Sequence, residues 1–312
     1  MRKSQSAMEY LMTYGWAILI IAVVLSVLFQ LGVFSSGNFQ PHAQAGSCQI
    51  SRTIAGVSMN GQCNGLEPEF VFVPNSKSVE GASIPFPGFN FSESVWYLDT
   101  SPGSYTGCGP PAFCSTPVTD IYNALLNGGV GGNQNFDFAA MGADEGNTVT
   151  FGIYWPTNTY QCYAPVGSMS TGRWHNVIVT VQSYNTIIIY IDGSPVETCN
   201  TGQVATSLGS NMIAPAVAIG SNPPGGDEIA AYLDVSNLQL YNTTLSQPEA
   251  QALYAEGIGG APIRPQDIVA WWPLNGNLND YGGGNYNMQI GSGTGGGTVG
   301  FSSTWEGSYT AP

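Results

Sequence analysis

GRWHNVIVTVQSYNTIIIYIDGSPVE, at residues 172–197, has the clearest structural pattern in this 312-residue chain. Val177, Val179 and Val181 occupy every second position, which is the period-two pattern of a strand with one buried face. A second apolar run, Thr186–Ile191, is followed by the dipeptide Asp192-Gly193. Asp and Gly both tolerate the positive φ angles of a tight hairpin turn. The stretch therefore predicts antiparallel strands joined by tight turns.

Short strand-like runs recur on both sides of this stretch, each rich in β-branched or aromatic residues and bounded by Gly, Pro, Asn or Ser. They are Phe70–Val73, 94–98, Thr148–Tyr154, His175–Gln182, Thr186–Ile191, Ala216–Ile219 and 237–241. A single soluble helix is expected after them, where Ser246 and Glu249 have the spacing of a capping box. Many short strands with one helix predict an all-β jelly-roll sandwich.

A W-H-x-V strand and an Asp-Gly hairpin lie within 172–197, a returning strand covers 231–242, and the pattern L-S-x-x-E-x-x-x-L-Y occurs at 245–254. Together these three segments resemble laminin-G, or concanavalin A-like, domains. The resemblance implies a sandwich head over residues 66–312. It also implies, by analogy with lectins only, that the head binds glycans.

A fourth segment, 268–281, resembles the opening strand of the same family but follows the closing helix. Either it completes the sandwich in permuted order, or residues 268–312 begin a partial second copy. Trp271 and Trp272 favour the permuted order, because burying two indoles in one sandwich costs less than exposing them. The two alternatives remain open from sequence alone.

The amino end carries an apolar stretch, AMEYLMTYGWAILIIAVVLSVLFQLGVF, at residues 7–34. Its core, 11–34, would form a helix of about 36 Å, enough to cross a hydrocarbon layer of about 30 Å. Arg2 and Lys3 precede it, so the positive-inside rule places residues 35–312 outside the cytoplasm. Glu9 is the exception, because an ionised carboxylate at this depth is costly unless it is paired.

The segment KSQSAMEYL, residues 3–11, resembles the class III signal sequence of archaeal type IV pilins. The resemblance implies that a prepilin peptidase cuts between Ser4 and Gln5, which makes Glu9 the fifth residue of the mature chain. Ser4 departs from the Gly or Ala that is commoner before the cut. The implied organisation is a leader at 1–4, an apolar helix at 5–36, a stalk at 37–65 and the head at 66–312.

Cleavage would create an α-amino group at Gln5 that can neutralise Glu9 of a neighbouring subunit. Two such charges about 4 Å apart attract by about 4 kcal/mol at an effective dielectric of 20. The sequence therefore predicts a structural subunit of an extracellular pilus-like filament, held in the membrane before assembly. Its expected partners are copies of itself, the peptidase, the assembly machinery, and glycans or cell surfaces that the head contacts. The alternative is a membrane-anchored glycan-binding protein that never polymerises. A surface glycoside hydrolase is a third hypothesis.

Composition excludes one class of partner. The formal net charge is −14, with six Lys and Arg against 20 Asp and Glu. Such a surface repels the phosphates of nucleic acid, so no nucleic-acid partner is expected. Aromatic residues make up 12% of the chain, which indicates a folded domain where an acidic disordered tail would have few.

Six cysteines follow the apolar stretch, at Cys48, Cys63, Cys108, Cys114, Cys162 and Cys199. An even number in an exported segment predicts disulfides. Cys108 with Cys114 brackets a proline loop and Cys48 with Cys63 brackets a hairpin-like segment, which would leave Cys162 to pair with Cys199. A zinc site is the alternative, although neither close Cys spacing nor a His pair supports it.

Two sequons, at Asn90 and Asn242, predict N-glycosylation in an exported chain, or arise by chance in an Asn- and Thr-rich sequence. Loop carboxylates at Asp227, Asp234 and Asp280 are weak Ca²⁺ candidates, since Ca²⁺ prefers oxygen ligands. The last two match family positions that also serve turn geometry. No other cofactor is expected.

The sequence predicts no enzyme. The two carboxylates of a retaining glycosidase lie about 5–5.5 Å apart, which on one strand requires acids at alternate positions. The nearest cluster, Glu67-Pro68-Glu69, is broken by proline, which predicts a turn there. No Ser-His-Asp set is evident either, because His175 begins a core hairpin, where a structural role is expected.

Overall fold

The chain divides into two compact units, Met1–Gln44 and Ala45–Pro312. The computed structural model describes residues 14–26, 49–54, 57–62, 69–74, 77–84, 90–99, 119–127, 135–144, 148–154, 159–170, 172–183, 185–202, 216–219, 233–291 and 298–303. In the first unit, residues 14–26 form helix α1. The remainder of the predicted helix at 5–36 lies outside the described residues.

The described part of the second unit is mostly β-structure. Its strands are β1 (Gln49–Ile54), β2 (Val57–Gln62), β3 (Phe70–Val73), β4 (Val79–Ser83), β5 (Phe91–Asp99), β6 (Thr119–Asn127), β7 (Asn135–Asp144), β8 (Thr148–Tyr154), β9 (Thr159–Tyr163), β10 (His175–Gln182), β11 (Thr186–Ile191), β12 (Ser194–Asn200), β13 (Ala216–Ile219), β14 (Leu233–Tyr241), β15 (Ile268–Trp272), β16 (Met288–Ile290) and β17 (Gly300–Ser302). Helix α2 spans Gln247–Ala255, and a 3-10 turn spans Pro265–Asp267.

Two antiparallel sheets contain most of these strands. The first sheet has the order β12-β11-β10-β5-β14-β3-β17, and β15 also pairs with β14. The second sheet has the order β16-β4-β13-β6-β7-β8-β9. Strands β1 and β2 form a separate hairpin inside the predicted stalk, at the hairpin-like segment between Cys48 and Cys63. A mostly β sandwich of this kind is consistent with the predicted concanavalin A-like fold.

Five of the seven strand predictions match the observed bounds, namely β3, β8, β10, β11 and β13. The other two are longer than predicted, since β5 covers Phe91–Asp99 and β14 covers Leu233–Tyr241. The Asp-Gly prediction is also confirmed. Asp192 and Gly193 both have positive φ angles, of 52° and 74°, in the turn that joins β11 to β12.

The core lies between the sheets and is formed by alternate residues of their strands. Val177, Val179 and Val181 of β10 are fully buried in it. Phe91 of β5 and Phe151 of β8, one from each sheet, place their ring centroids 6.3 Å apart. Inward-facing side chains of both sheets are needed to exclude water, and each strand contributes only every second residue. A core of this size therefore requires many short strands.

The strands that follow α2 lie in the same two sheets as those that precede it. β15 pairs with β14, β16 with β4, and β17 with β3. Trp271 and Trp272 are 1% and 0% exposed, which confirms the burial expected of the tryptophan pair.

Helix α2 begins at the predicted cap. The Ser246 N–H donates to Glu249 Oε2 at 2.8 Å and the Ser246 hydroxyl donates to the same oxygen at 2.6 Å. Leu253 and Ala250 pack in a buried cluster with residues of β10, β11 and β14. Gly193 allows the helix to approach the β11–β12 turn, because a Cβ there would lie 3.1 Å from the Cβ of Tyr254.

Candidate functional site

Helix α1 carries apolar side chains on its whole circumference. Ile18, Leu19, Ile20 and Ile21 follow one another at about 100° per residue and are 54–65% exposed. Trp16 is 66% exposed. A helix that is apolar all round belongs in a membrane or in the core of a larger assembly, because water is a poor solvent for every face of it.

The proposed processing and assembly residues Ser4, Gln5 and Glu9 precede the described part of α1 and lie outside the described residues. Among the helices that the structure describes, none combines the length and the apolar character needed to cross a bilayer.

The sandwich brings a serine and an aspartate onto the two ring nitrogens of His175. The Nδ1–H of His175 donates to Asp192 Oδ2 at 2.9 Å, and Ser170 Oγ lies 3.0 Å from Nε2. The β10–β11–β12 turns produce this contact, because they return Asp192 to the start of β10. No local spacing indicates this contact, because it depends on a hairpin register between residues 17 positions apart.

Nε2 of His175 has a second partner, which favours a structural role for the histidine. With Nδ1–H directed at a carboxylate, Nε2 is an acceptor, and the backbone N–H of Ser170 donates to it at 3.0 Å. His175 is only 5% exposed. Asp192 Oδ1 also accepts the N–H of Asn176 at 3.0 Å. These bonds tie the segment before β10 to the hairpin that the sequence predicted.

Arg173 and Tyr254 extend this polar cluster. A guanidinium nitrogen of Arg173 lies 3.9 Å from Asp192 Oδ2, and the arginine side chain is 40% exposed. Burial, followed by the negative charge of Asp192, raises the pKa of Tyr254 above its usual value, and Arg173 opposes that rise. An ion pair this long and this exposed contributes little to stability.

The metal candidates are not gathered into one site by the part of the chain that the structure describes. Asp280 Oδ1 accepts the N–H groups of Trp271 at 2.9 Å and Gly282 at 2.7 Å, and its Oδ2 accepts that of Tyr286 at 3.1 Å. Amide hydrogens directed at a carboxylate occupy the directions from which a cation would bind. Asp234 is buried on β14, and Asp227 lies outside the described residues. The described residues include no group of three or more His, Cys, Asp and Glu that could hold a metal ion.

A disulfide joins Cys162 of β9 to Cys199 of β12, the third pairing that the sequence predicted. These strands are at the edges of the two sheets, so the bond closes one side of the sandwich. Cys48, Cys63, Cys108 and Cys114 lie outside the described residues. Both sequon asparagines are exposed, and Asn90 Oδ1 accepts the N–H of Ser183 at 2.9 Å.

Glu93 is a buried acid that sequence reasoning missed. It is 0% exposed on β5, where its ladder neighbours are Val179 of β10 and Leu240 of β14. Neither carboxyl oxygen has a hydrogen-bond partner. Burial raises the pKa of Glu93 well above its usual value. No local signal marks it, since a single acid in a strand is normally directed to solvent.

One family model matches part of the sandwich. The family model for the concanavalin A-like lectin/glucanases superfamily matches residues 116–251, less than half of the chain. The match supports a concanavalin A-like lectin/glucanase domain, as the laminin-G resemblance predicted. A search of curated proteins found no significant match.

Several solved structures are similar to this chain. The sialidase of Trypanosoma rangeli in complex with sialic acid is 13% identical, with 69% of this chain and 34% of that one covered and a TM-score of 0.41. The CBM40 of the IT-sialidase of Ruminococcus gnavus, bound to α2,3-sialyllactose, is 14% identical over 59% of this chain and 97% of that one, with a TM-score of 0.38. The binding domain of botulinum neurotoxin serotype G is 13% identical over 70% and 47%, with a TM-score of 0.38. The chain spans less than half the length of the toxin and trypanosomal structures, and likenesses at these scores do not indicate its function.

Proposed function

We propose that this protein is a structural subunit of an extracellular filament of the archaeal type IV pilus kind. Its apolar N-terminal helix packs with copies of itself in the filament core. Its lectin-like sandwich is displayed on the cell surface for adhesion to glycans. The chain is held in the membrane until a prepilin peptidase and the assembly machinery act on it.

The exposed apolar circumference of α1 carries this proposal. The large apolar side chains of this helix are 45–66% exposed. Each Å² of apolar surface left in water costs about 25 cal/mol relative to burial. A membrane or a bundle of identical helices would bury them. The bundle also gives Glu9 a partner, since the α-amino group of Gln5 on the next subunit carries the opposite charge.

Filament assembly is tested with Glu9→Gln and Glu9→Asp in cells that produce the protein. We expect Glu9→Gln to abolish filaments seen by electron microscopy, because the uncharged amide cannot pair with the amine. Glu9→Asp keeps the charge and retains at least part of the assembly. Mass spectrometry of the recovered chain should show Gln5 as its first residue.

Two results contradict the filament proposal. Recovery of a chain that begins at Met1 and remains single in the bilayer leaves the anchored glycan-binding protein as the better description. Filaments of normal number and length with Glu9→Gln remove the role of the charge pair.

Hydrolysis is the second candidate function, because the Ser170–His175–Asp192 contact combines the residue types of a catalytic triad. We assign these residues a structural role, because the backbone N–H of Ser170 shares the Nε2 acceptor with the hydroxyl. A fluorophosphonate probe distinguishes the two roles, since it labels serines activated by a histidine. We expect no labelling of Ser170. Labelling that disappears in Ser170→Ala would establish a nucleophile.

A further inference from the structure

A single aromatic side chain is exposed among those that the structure describes in the second unit. Tyr281 is 47% exposed. It lies in the segment 275–287, NGNLNDYGGGNYN, which we name the Tyr281 loop. This loop lies outside the residues that the family model matches, and neither the filament proposal nor the fold requires a ring at its surface.

Three contacts fix Tyr281, one through its backbone and two through its side chain. Its backbone N–H donates to the carbonyl of Trp271 at 2.7 Å. Its ring lies edge-on to the buried indole of Trp271, with centroids 6.2 Å apart and planes at 63°. Its hydroxyl accepts the Nδ2–H of Asn277 at 3.2 Å. A ring ordered in this way loses little further conformational entropy when a ligand stacks on it.

The backbone under the ring is also fixed. Asp280 accepts the N–H groups of Trp271 and Gly282 through one oxygen and that of Tyr286 through the other. Gly282 lies so close to β15 that a Cβ would be 2.9 Å from the Cα of Ala270. The loop therefore presents Tyr281 on a rigid support.

The Tyr281 loop also carries polar side chains. Asn279 and Asn285 of the loop are exposed, and their amides each offer donors and an acceptor. The Glu69 carboxylate adjoins the loop at Gly276, where a Cβ would be 2.5 Å from Glu69 Oε2. A loop that presents an exposed ring together with amides, and that has a carboxylate beside it, matches the chemistry of a sugar, which has C–H faces and hydroxyl edges.

Charge narrows the class of sugar. Glu69 and Asp280 are acids at the loop, and the chain has a net charge of −14. In the described segment 233–291 the one cation, Arg264, is bound to Glu249 and Asp267 at 3.1 and 2.7 Å. An anionic saccharide would therefore meet like charge with no free cation in that segment.

We propose that the Tyr281 loop binds a neutral saccharide, with the sugar ring stacked on the exposed face of Tyr281. The inference deepens the proposed glycan-binding function and rests on it. It places the ligand contact at this loop and identifies the ligand as an uncharged sugar.

Binding is tested with the full-length protein in detergent on a printed array of neutral oligosaccharides and their uronic acid-containing counterparts. We expect wild-type protein to bind neutral members preferentially. Tyr281→Ala should weaken binding by at least about tenfold, and Tyr281→Phe should retain it within about threefold, because the ring is kept. Ile290→Ala is the matched control, since it removes an apolar side chain that is 54% exposed outside the loop.

A second measurement uses the wild-type protein and does not depend on the folding of a variant. Tetranitromethane should nitrate the exposed Tyr281, and a neutral oligosaccharide that binds on the array should reduce nitration at that residue. The melting temperature of Tyr281→Ala shows whether its loss of binding is local.

The outcomes separate the inference from the function on which it rests. If wild-type protein binds no glycan, the glycan-binding function fails and the inference fails with it. If wild-type protein binds but Tyr281→Ala binds equally well, or nitration is unprotected, the function stands and the Tyr281 loop is the wrong site. Preference for the acidic oligosaccharides would overturn the assignment to neutral sugars.

Discussion

Asp280 and Glu93 are two acids of the same unit in opposite surroundings. Asp280, in a loop, accepts three backbone N–H groups, whereas Glu93, on the inner face of a strand, has no partner for either oxygen. Backbone N–H groups of β5 are used by its two neighbours in the sheet, so none turns inward to Glu93. The N–H groups of a loop are not used in a strand ladder, so they can donate to a side chain. The location of an acid therefore decides whether its charge supports the fold or opposes it.

The largest effect is expected for Asp280→Ala, which leaves three N–H groups without their acceptor. We expect the free energy of unfolding to fall by about 3 kcal/mol, since hydrogen bonds to charged groups are worth about 1.5–3 kcal/mol each and water replaces part of them. Urea unfolding at pH 7 measures the change. Asp280→Asn is the control, because it keeps one acceptor oxygen and should lose less. Equal stability of all three proteins would end the contrast with Glu93.

A change of opposite sign is expected for Glu93→Leu. Replacing an unpaired buried acid by an apolar side chain should raise the free energy of unfolding by about 2 kcal/mol at pH 8. Glu93→Gln should give a smaller gain, because the amide has no charge but still lacks a partner. Urea unfolding of both variants measures the difference. Destabilisation by both substitutions would show that the carboxyl has a partner after all.

The pH dependence of wild-type stability sharpens the comparison further. Burial raises the pKa of Glu93 well above its usual value, so the folded protein keeps a proton that the unfolded chain releases at a pH of about 4.3. The folded state then binds more protons, and stability falls as pH rises from that value toward the raised pKa, by up to about 1.4 kcal/mol per pH unit. Unfolding of wild type and Glu93→Gln between pH 4.5 and 8 tests this. If the free energy of unfolding changed with pH equally in both proteins, Glu93 would be excluded as the source of the pH dependence.

The smallest effect is expected at Glu249, an acid at the surface of α2. Burial tends to raise its pKa, but hydrogen bonds from Ser246 and the charge of Arg264 lower it overall. The stabilisation is present above the usual value and is lost as pH falls through the lowered pKa. Glu249→Gln should therefore cost about 0.5 kcal/mol at pH 7, and the difference from wild type should shrink near pH 3. A difference that does not change with pH would assign the effect to capping geometry without charge.

The strands that sequence reasoning located are those with a strong local pattern. β10 and β11 alternate or run apolar for their whole length, and their bounds were predicted to the residue. β6 (TDIYNALLN) has no such alternation, β7 (NFDFAAMGAD) alternates only over its first four residues, and both were missed. They pair with each other and with β13 and β8, so the sheet around them supplies what their own residues lack.

The candidate sites divide in the same way. The capping box of α2 and the Asp192-Gly193 turn depend on residues three apart or adjacent, and both were predicted. The contact of Ser170 and Asp192 with His175 depends on how a hairpin folds back. The support of Tyr281 by Trp271 depends on a loop that returns to its own strand. Neither arrangement has a signature in the order of residues.

Residue order alone predicts the β-rich character of the larger unit, its main hairpin, the burial of its tryptophan pair and the apolar character of its amino end. These follow from residue type and short-range spacing, which the chain carries locally. Tertiary folding alone sets which acids receive backbone donors and which ring remains at the surface. Those outcomes depend on the pairing of strands far apart in the chain, because hydrogen-bond partners and burial are properties of the assembled sheets.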